Sequence, residues 1–243
     1  MKNKNHGIAR TFFYTALLTI SCSCAVAQDG SLPSVTDAAP DLLAQASRYA
    51  LQYERMASEF GPYDLRVTEP LVAAADLNVE AGNYLDALQG YEQALQVTRI
   101  STGLFSEEQI PLVEKIIDCN VATGDWPHVD EQFRYLELLY SRVYEQGSEG
   151  WARGIAQVSD WHVLVINHGL ETNNSDHLRE AHGLLKQRLE LAEQSADTDA
   201  KVLEVLRHNV KVTTHFLRLA ERQSAEAAFD GARLSLVEQV AWN

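Results

Sequence analysis

From residue 38 onward, apolar residues recur at intervals of three and four, the spacing that lines one face of a helix. The period-two alternation of a half-buried strand is nearly absent. The pattern predicts helices over 38–59, 65–81, 84–99, 107–123, 127–145, 150–168, 176–195, 199–220 and 224–240, hence an all-α chain. Local punctuation agrees. Gly61-Pro62 stops the first helix, and Gly82 and Gly124 stand where glycine serves as a left-handed cap. Ser106 followed by Gln109 has the spacing of a capping box. Asn174, Ser175 and Asp176 offer N-caps for the helix near 176. No linker or shift of composition divides 38–243, which reads as one helical domain.

Two stretches echo each other, EAGNYLDALQGYEQAL at 80–95 and ATGDWPHVDEQFRYL at 122–136. In register, Asp76 meets Asp118, Asn78 meets Asn120, Val79 meets Val121, Gly82 meets Gly124 and Tyr84 meets Trp126. Ala87 meets Val129, Tyr91 meets Phe133, Ala94 meets Leu136, and every pair is 42 residues apart. The preceding loops, GPYD from 61 and GLFS from 103, keep the same step. A fixed period of this length marks stacked helical hairpins. In each, a first helix ends at glycine and an aromatic seals the turn. The second helix puts a small residue, Ala87, where helices cross and a bulky one, Tyr91 or Phe133, one turn later. Such a hairpin closes its apolar face only against a neighbour. The clear units span about 61–102 and 103–146. Divergent ones are expected over about 147–196 and 197–243, with Ala181 and Ala227 in the place of Ala87. Ala181 lies 52 residues after Val129, so the third unit carries about ten extra residues.

The run G-N-Y-L-D-A-L-Q-G-Y-E-Q-A-L resembles the centre of a tetratricopeptide repeat, with Gly82, Tyr84, Ala87, Tyr91 and Ala94 at the family's positions. Gly124, Trp126 and Phe133 are their counterparts in the second unit, where Val129 and Leu136 replace both alanines. The first helix departs from the family, with Leu71 where Trp is favoured and Ala74-Ala75 where Leu-Gly is usual. The step also exceeds the usual ~34 residues and is similar to the longer-helix variety of kinesin light chains and related bacterial proteins. The resemblance implies a right-handed α-solenoid whose concave groove, lined by the first helix of each pair, takes peptides or partner helices. Carried over by register, the groove positions are Glu69, Val72, Asp76, Val79 and Glu80, then Pro111, Glu114, Asp118, Val121 and Ala122. Five of these ten are acidic and none is basic, with Lys115 the only cation nearby. A basic protein or peptide is therefore the expected partner, and an empty solvated groove is the alternative. The basic clamp that some family members use for a C-terminal carboxylate is not evident.

Composition narrows the setting. Residues 1–27 have a basic front (Lys2, Lys4, Arg10), an apolar run from 11 and the small-x-small site Ala25-Val26-Ala27. That order is expected of a secretory signal peptide, and the run is short for a membrane span. Export to a bacterial periplasm follows as the expected location. Cys22 and Cys24 lack the leucine of a lipobox, which makes a lipid anchor the weaker reading. Residues 28–37 read as a flexible leader. The segment 1–27 holds three of the 20 Lys and Arg and none of the 34 Asp and Glu, so cleavage takes the net charge from −14 to −17. Such a charge disfavours direct contact with nucleic acid or anionic lipid. Cys119 alone remains of three cysteines, which excludes an internal disulfide.

Motifs for chemistry are scarce. There is no Gly-rich phosphate loop, GxSxG or HExxH, and the expectation is a non-enzymatic protein with no catalytic residue and no cofactor. His162, His168, His177 and His182, with Asp176 and Glu180 near, invite a metal reading. Helical ligand pairs need spacings of three or four; six and five are found within the two helices, so no metal is expected. The repeated D-x-N-V, Asp76 to Val79 and Asp118 to Val121, suggests an asparagine bonding a helix end, or a ladder that binds peptide backbone. Trp126, Trp151 and Trp161 read as packing residues rather than a sugar platform. Two rivals to the interaction module stand. One is an envelope enzyme or accessory domain with its site in 147–243. The other is a self-associating protein using 224–240 and the tail Val240-Ala241-Trp242.

Overall fold

A computed structural model describes residues 35–170, 174–196 and 198–240, with side chains over 39–170, 175–196 and 198–223. The expected signal segment, residues 28–34 of the leader, Cys22, Cys24 and the tail from 241 lie outside the described residues. Those described are helical throughout: α1 (Val35–Phe60), α2 (Thr68–Glu80), α3 (Tyr84–Thr102), α4 (Ile110–Thr123), α5 (Trp126–Val143), α6 (Glu149–His168), α7 (Asn174–Gln194) and α8 (Ala200–Val240). Short 3-10 turns at Leu65–Val67 and Glu107–Gln109 lead into α2 and α4. From α2 to α8, the main packing joins each helix to those before and after it in sequence. None of the described helices is long and apolar enough to cross a membrane.

The 42-residue step is present atom by atom. Gly61 and Gly103 share a φ of 101°, and Gly82 and Gly124 have φ of 76° and 74°. A side chain there meets the left-handed penalty that glycine escapes. Asn83 N donates to Asn78 O at 2.8 Å and Asp125 N to Asn120 O at 2.9 Å, so the same bond closes both hairpin turns. Asn78 donates through Nδ2 to Ala74 O and accepts at Oδ1 from Asn83 Nδ2, which gives the asparagine of the first D-x-N-V a helix-end role. Ala87 and Val129 are fully buried, as are Ala94 and Leu136, and Tyr91 and Phe133 are buried beside them. Trp126 and Trp151 pack half-buried against this core, and Trp161 is buried within it.

The two bulky aromatics diverge in what they do. Tyr91 fills its hairpin and sends its hydroxyl outward to Asp76. Phe133 has no hydroxyl and stacks on Trp161 of α6, centroids 4.8 Å apart and planes 7° apart, which joins the second unit to the third. Such pairs contribute about 0.5–1.5 kcal/mol beyond their burial. One position of the second helix reaches back in both units. Gln93 donates to the Tyr53 hydroxyl of α1 at 2.6 Å, and Tyr135, 42 residues on, accepts from Arg99 of α3 at 3.1 Å. In this contact α1 therefore stands for α3, as the second helix of a preceding unit whose first helix is lacking among the described residues.

Three expectations are corrected. The Ser106–Gln109 capping box does not form. Gln109 is fully buried instead, donating to Gly103 O at 2.8 Å and accepting from the Tyr135 hydroxyl at 2.5 Å. The helices expected over 199–220 and 224–240 are one helix, α8, because Glu221 to Glu226 offer neither glycine nor proline to break it. A fourth hairpin with Ala227 at its crossing is therefore absent. The leader reading also ends early, since Val35–Asp37 belong to α1.

Close approach of α5 and α6 depends on Gly150 and Gly154. A Cβ at Gly154 would lie 2.2 Å from Tyr140 Cγ, and one at Gly150 would lie 2.4 Å from Tyr144 Cδ1. The two tyrosine rings rest on backbone and stack on each other, centroids 5.7 Å apart. Gly183 of α7 is the contrast, with open space where its Cβ would be. Gly183→Ala should raise stability by up to ~1 kcal/mol through helix propensity. Gly154→Ala gains the same propensity but overpacks at ~1–3 kcal/mol, so its urea midpoint should fall. Equal midpoints for the two variants would contradict this packing. Cys119 is buried and its thiol is pushed up to about 11, chiefly by burial and then by Asp118. A thiol reagent at pH 8 should label it slowly in native protein and at full rate after unfolding.

Candidate partner-binding face

The ten positions that the resemblance places in a groove lie on α2, the turn before it, and α4. Lys115 of α4 forms an ion pair with Asp76 of α2 and lies 5.2 Å from the centre of the Tyr91 ring. This contact brings the two first helices onto one face. It also engages Asp76, whose Oδ1 accepts from both Lys115 and the Tyr91 hydroxyl. Burial, and then the Asp76 carboxylate, raise the Tyr91 phenol well above its ordinary value and keep it a donor. Asp76 is thus part of the scaffold. Both partners of the ion pair are more than one-third exposed, so the bridge contributes no more than about 1 kcal/mol.

The other positions divide by exposure. Glu69, Glu80, Pro111, Asp118 and Ala122 are exposed, and Glu114 is half-buried. Val72, Val79 and Val121 lean onto the apolar core and are partly covered by it. Of the exposed positions, Glu69, Glu80 and Asp118 are acidic and Pro111 and Ala122 are uncharged.

That face runs into a cleft of about 440 Å³ beside the N-terminal end of α4. Glu107, Glu108, Pro111 and Glu114 line one side, and Tyr140, Tyr144 and Arg153 the other. Pro111 and Glu114 are positions the resemblance had already placed in the groove, while the remaining lining residues were not foreseen. The tyrosines stand here because the glycines at 150 and 154 let α6 come in against α5. A Tyr-x3-Tyr run followed by a Gly-x3-Gly run is the signal that marks them. Tyr144 donates to Glu107 Oε1 at 2.7 Å and Tyr140 to Gln157 Oε1 at 3.3 Å. Burial, and next Glu114, push the Tyr140 phenol up to about 12, so it stays neutral. Glu108 is held below the usual carboxylate range by a backbone hydrogen bond and then by Ser106. The cleft thus offers three carboxylates and one guanidinium, beside two tyrosine rings of which Tyr140 is buried and Tyr144 half-buried.

The histidines of the sequence analysis are dispersed. His168 is exposed at the end of α6, and His182 bonds to Thr213 of α8 through Nδ1 at 2.9 Å. His162 and His177 meet in the interior, Nδ1 to Nδ1 at 2.8 Å, next to Asp130 of α5. Burial, and then His177, lower the His162 imidazole to about 4, so it is neutral at physiological pH.

No protein-family model matches the sequence, and no curated protein matches it. Among solved structures, a similar one is BtubC (BKLC) from P. vanneervenii, 14% identical, with a TM-score of 0.45 over 80% of this chain and 93% of that one. Likeness of this degree says nothing of function.

Proposed function

We propose that the chain is an exported, non-enzymatic interaction module whose partner presents a basic segment to the acidic face of α4 and its cleft. The observation that carries the reading is the lining of that cleft, where Glu107, Glu108 and Glu114 face Tyr140 and Tyr144 with Arg153 as the one cation. A lysine or arginine entering it meets three carboxylates, a complement to its charge. Exposed Asp118 and Glu69 extend the same charge along the first helices. The formal net charge of −14 strengthens attraction at a distance. Export is supported by the basic front, apolar run and Ala25-Val26-Ala27 site of residues 1–27, and a periplasmic partner is the corresponding proposal.

Cross-linking in extracts of the host, read by mass spectrometry, tests the reading. Cross-linked partner peptides should be rich in Lys and Arg and map to residues 107–118. Glu108→Lys/Glu114→Lys should keep the helical circular dichroism and lose the partner by at least tenfold, whereas Glu190→Lys on α7 should not. Asp76 is unsuited to charge reversal because it anchors Tyr91 and Lys115. Unchanged capture by the double variant, or cross-links confined to α7 and α8, would contradict the proposal.

A further inference from the structure

Two positions of the repeat that elsewhere carry apolar side chains carry ionisable ones in the second and third units. Asp130 takes the place of Leu88, 42 residues earlier. His162 lies seven residues before the turn at Gly169, as Ile117 does before Gly124 and Ala75 before Gly82, and both of those are core residues. Asp130 and His162 are both buried, Asp130 more fully than the partly covered Leu88, and His177 joins them from α7. A lone carboxylate or imidazole in such a core costs several kcal/mol, on the order of 2–7 for a polar group without a partner. Three of them brought together from three successive helices form a built arrangement.

We propose that Asp130, His162 and His177 bind one divalent transition-metal ion of the zinc class and thereby clamp α5, α6 and α7 together. One donor atom from each of the three lies within 4.8 Å of the other two. The two imidazoles meet through their Nδ1 atoms at 2.8 Å, a hydrogen-bond spacing, and the other nitrogen of His177, Nε2, lies 3.9 Å from Asp130 Oδ1, so one ion takes one or the other of the two. Metal–nitrogen bonds of about 2.0–2.1 Å in a tetrahedron hold two donors roughly 3.3 Å apart. Opening the imidazole pair by about half an ångström would therefore admit the ion. The rings are already inclined at 53°. Two nitrogens and one carboxylate oxygen suit zinc, cobalt, nickel or copper, and suit calcium or magnesium poorly. A water completes four-coordination.

The outer groups favour the same reading. Asp130 Oδ1 accepts from Trp161 Nε1 at 3.0 Å, and Oδ2 accepts from Arg134 Nε at 2.8 Å. Such bonds orient a metal-binding carboxylate. Trp161 is itself fixed by its stack on Phe133, so the repeat's aromatic position places the carboxylate. Arg134 is 70% exposed and runs from Asp130 to solvent, a side chain able to swing aside and admit an ion.

The test uses the protein purified without a histidine tag, stripped by chelator and titrated with zinc chloride by calorimetry. One equivalent should bind, and the thermal midpoint should rise with zinc. Cobalt should give the visible absorption of a tetrahedral nitrogen–oxygen site. His162→Gln and Asp130→Asn keep a hydrogen-bonding group and should weaken binding by about 100-fold or more, beyond the usual effect of losing an outer partner. His168→Ala should change nothing. X-ray absorption of the zinc-loaded wild type needs no variant and should show two imidazoles at the metal. No stoichiometric uptake, equal affinity in His162→Gln, or fewer than two imidazoles would overturn the site.

Discussion

A hairpin of about forty residues has too little interior to fold alone, and in this chain the missing interior comes from the next hairpin in sequence. Each second helix is squeezed between the first helix of its own pair and that of the following one. The small fully buried residues at Ala87 and Ala94, and their counterparts Val129 and Leu136, set how closely it can lie. Everything else depends on this nearest-neighbour contact. It fixes the turn glycines and turns Tyr91 and Phe133 inward. It also makes the first helices α2 and α4 share one face, where Lys115 bridges to Asp76.

Within that frame, function is expected where the repeat departs from itself. The packing positions from Gly82 to Ala94 identify the fold but have little surface to offer. The cleft arises at a departure: glycines at 150 and 154 replace side chains, α6 comes in close, and two tyrosines are pressed toward three glutamates. Asp130 and His162 are departures of a second kind, in which the core accepts charge-bearing groups. One feature recruits acidic surface, the other buried donors.

Much of the fold was legible because its signals are local. Helical periodicity, turn glycines and the 42-residue step all lie within a few tens of residues, and each recurs in the structure. The Ser106–Gln109 reading failed because a hydrogen-bonding side chain also suits a buried role, and Tyr135 and Gly103 claimed Gln109. The break expected near 220–224 failed because nothing in that stretch prefers a turn. The site residues were legible in part. Register located Pro111 and Glu114, while Tyr140, Tyr144 and Arg153 depend on how α5 and α6 meet. The rule that metal ligands lie three or four apart holds along one helix. It says nothing of Asp130, His162 and His177, which reach one place from three.

Native-state hydrogen exchange, read residue by residue, tests the nearest-neighbour account most directly. If each helix is held by the helices before and after it, protection should be greatest in α4, α5 and α6, which lie in the middle of the run from α2 to α8. It should fall in steps toward α1 on one side and α8 on the other. Protection of α1 or α8 equal to that of α4, exchanging in a single global event, would contradict it.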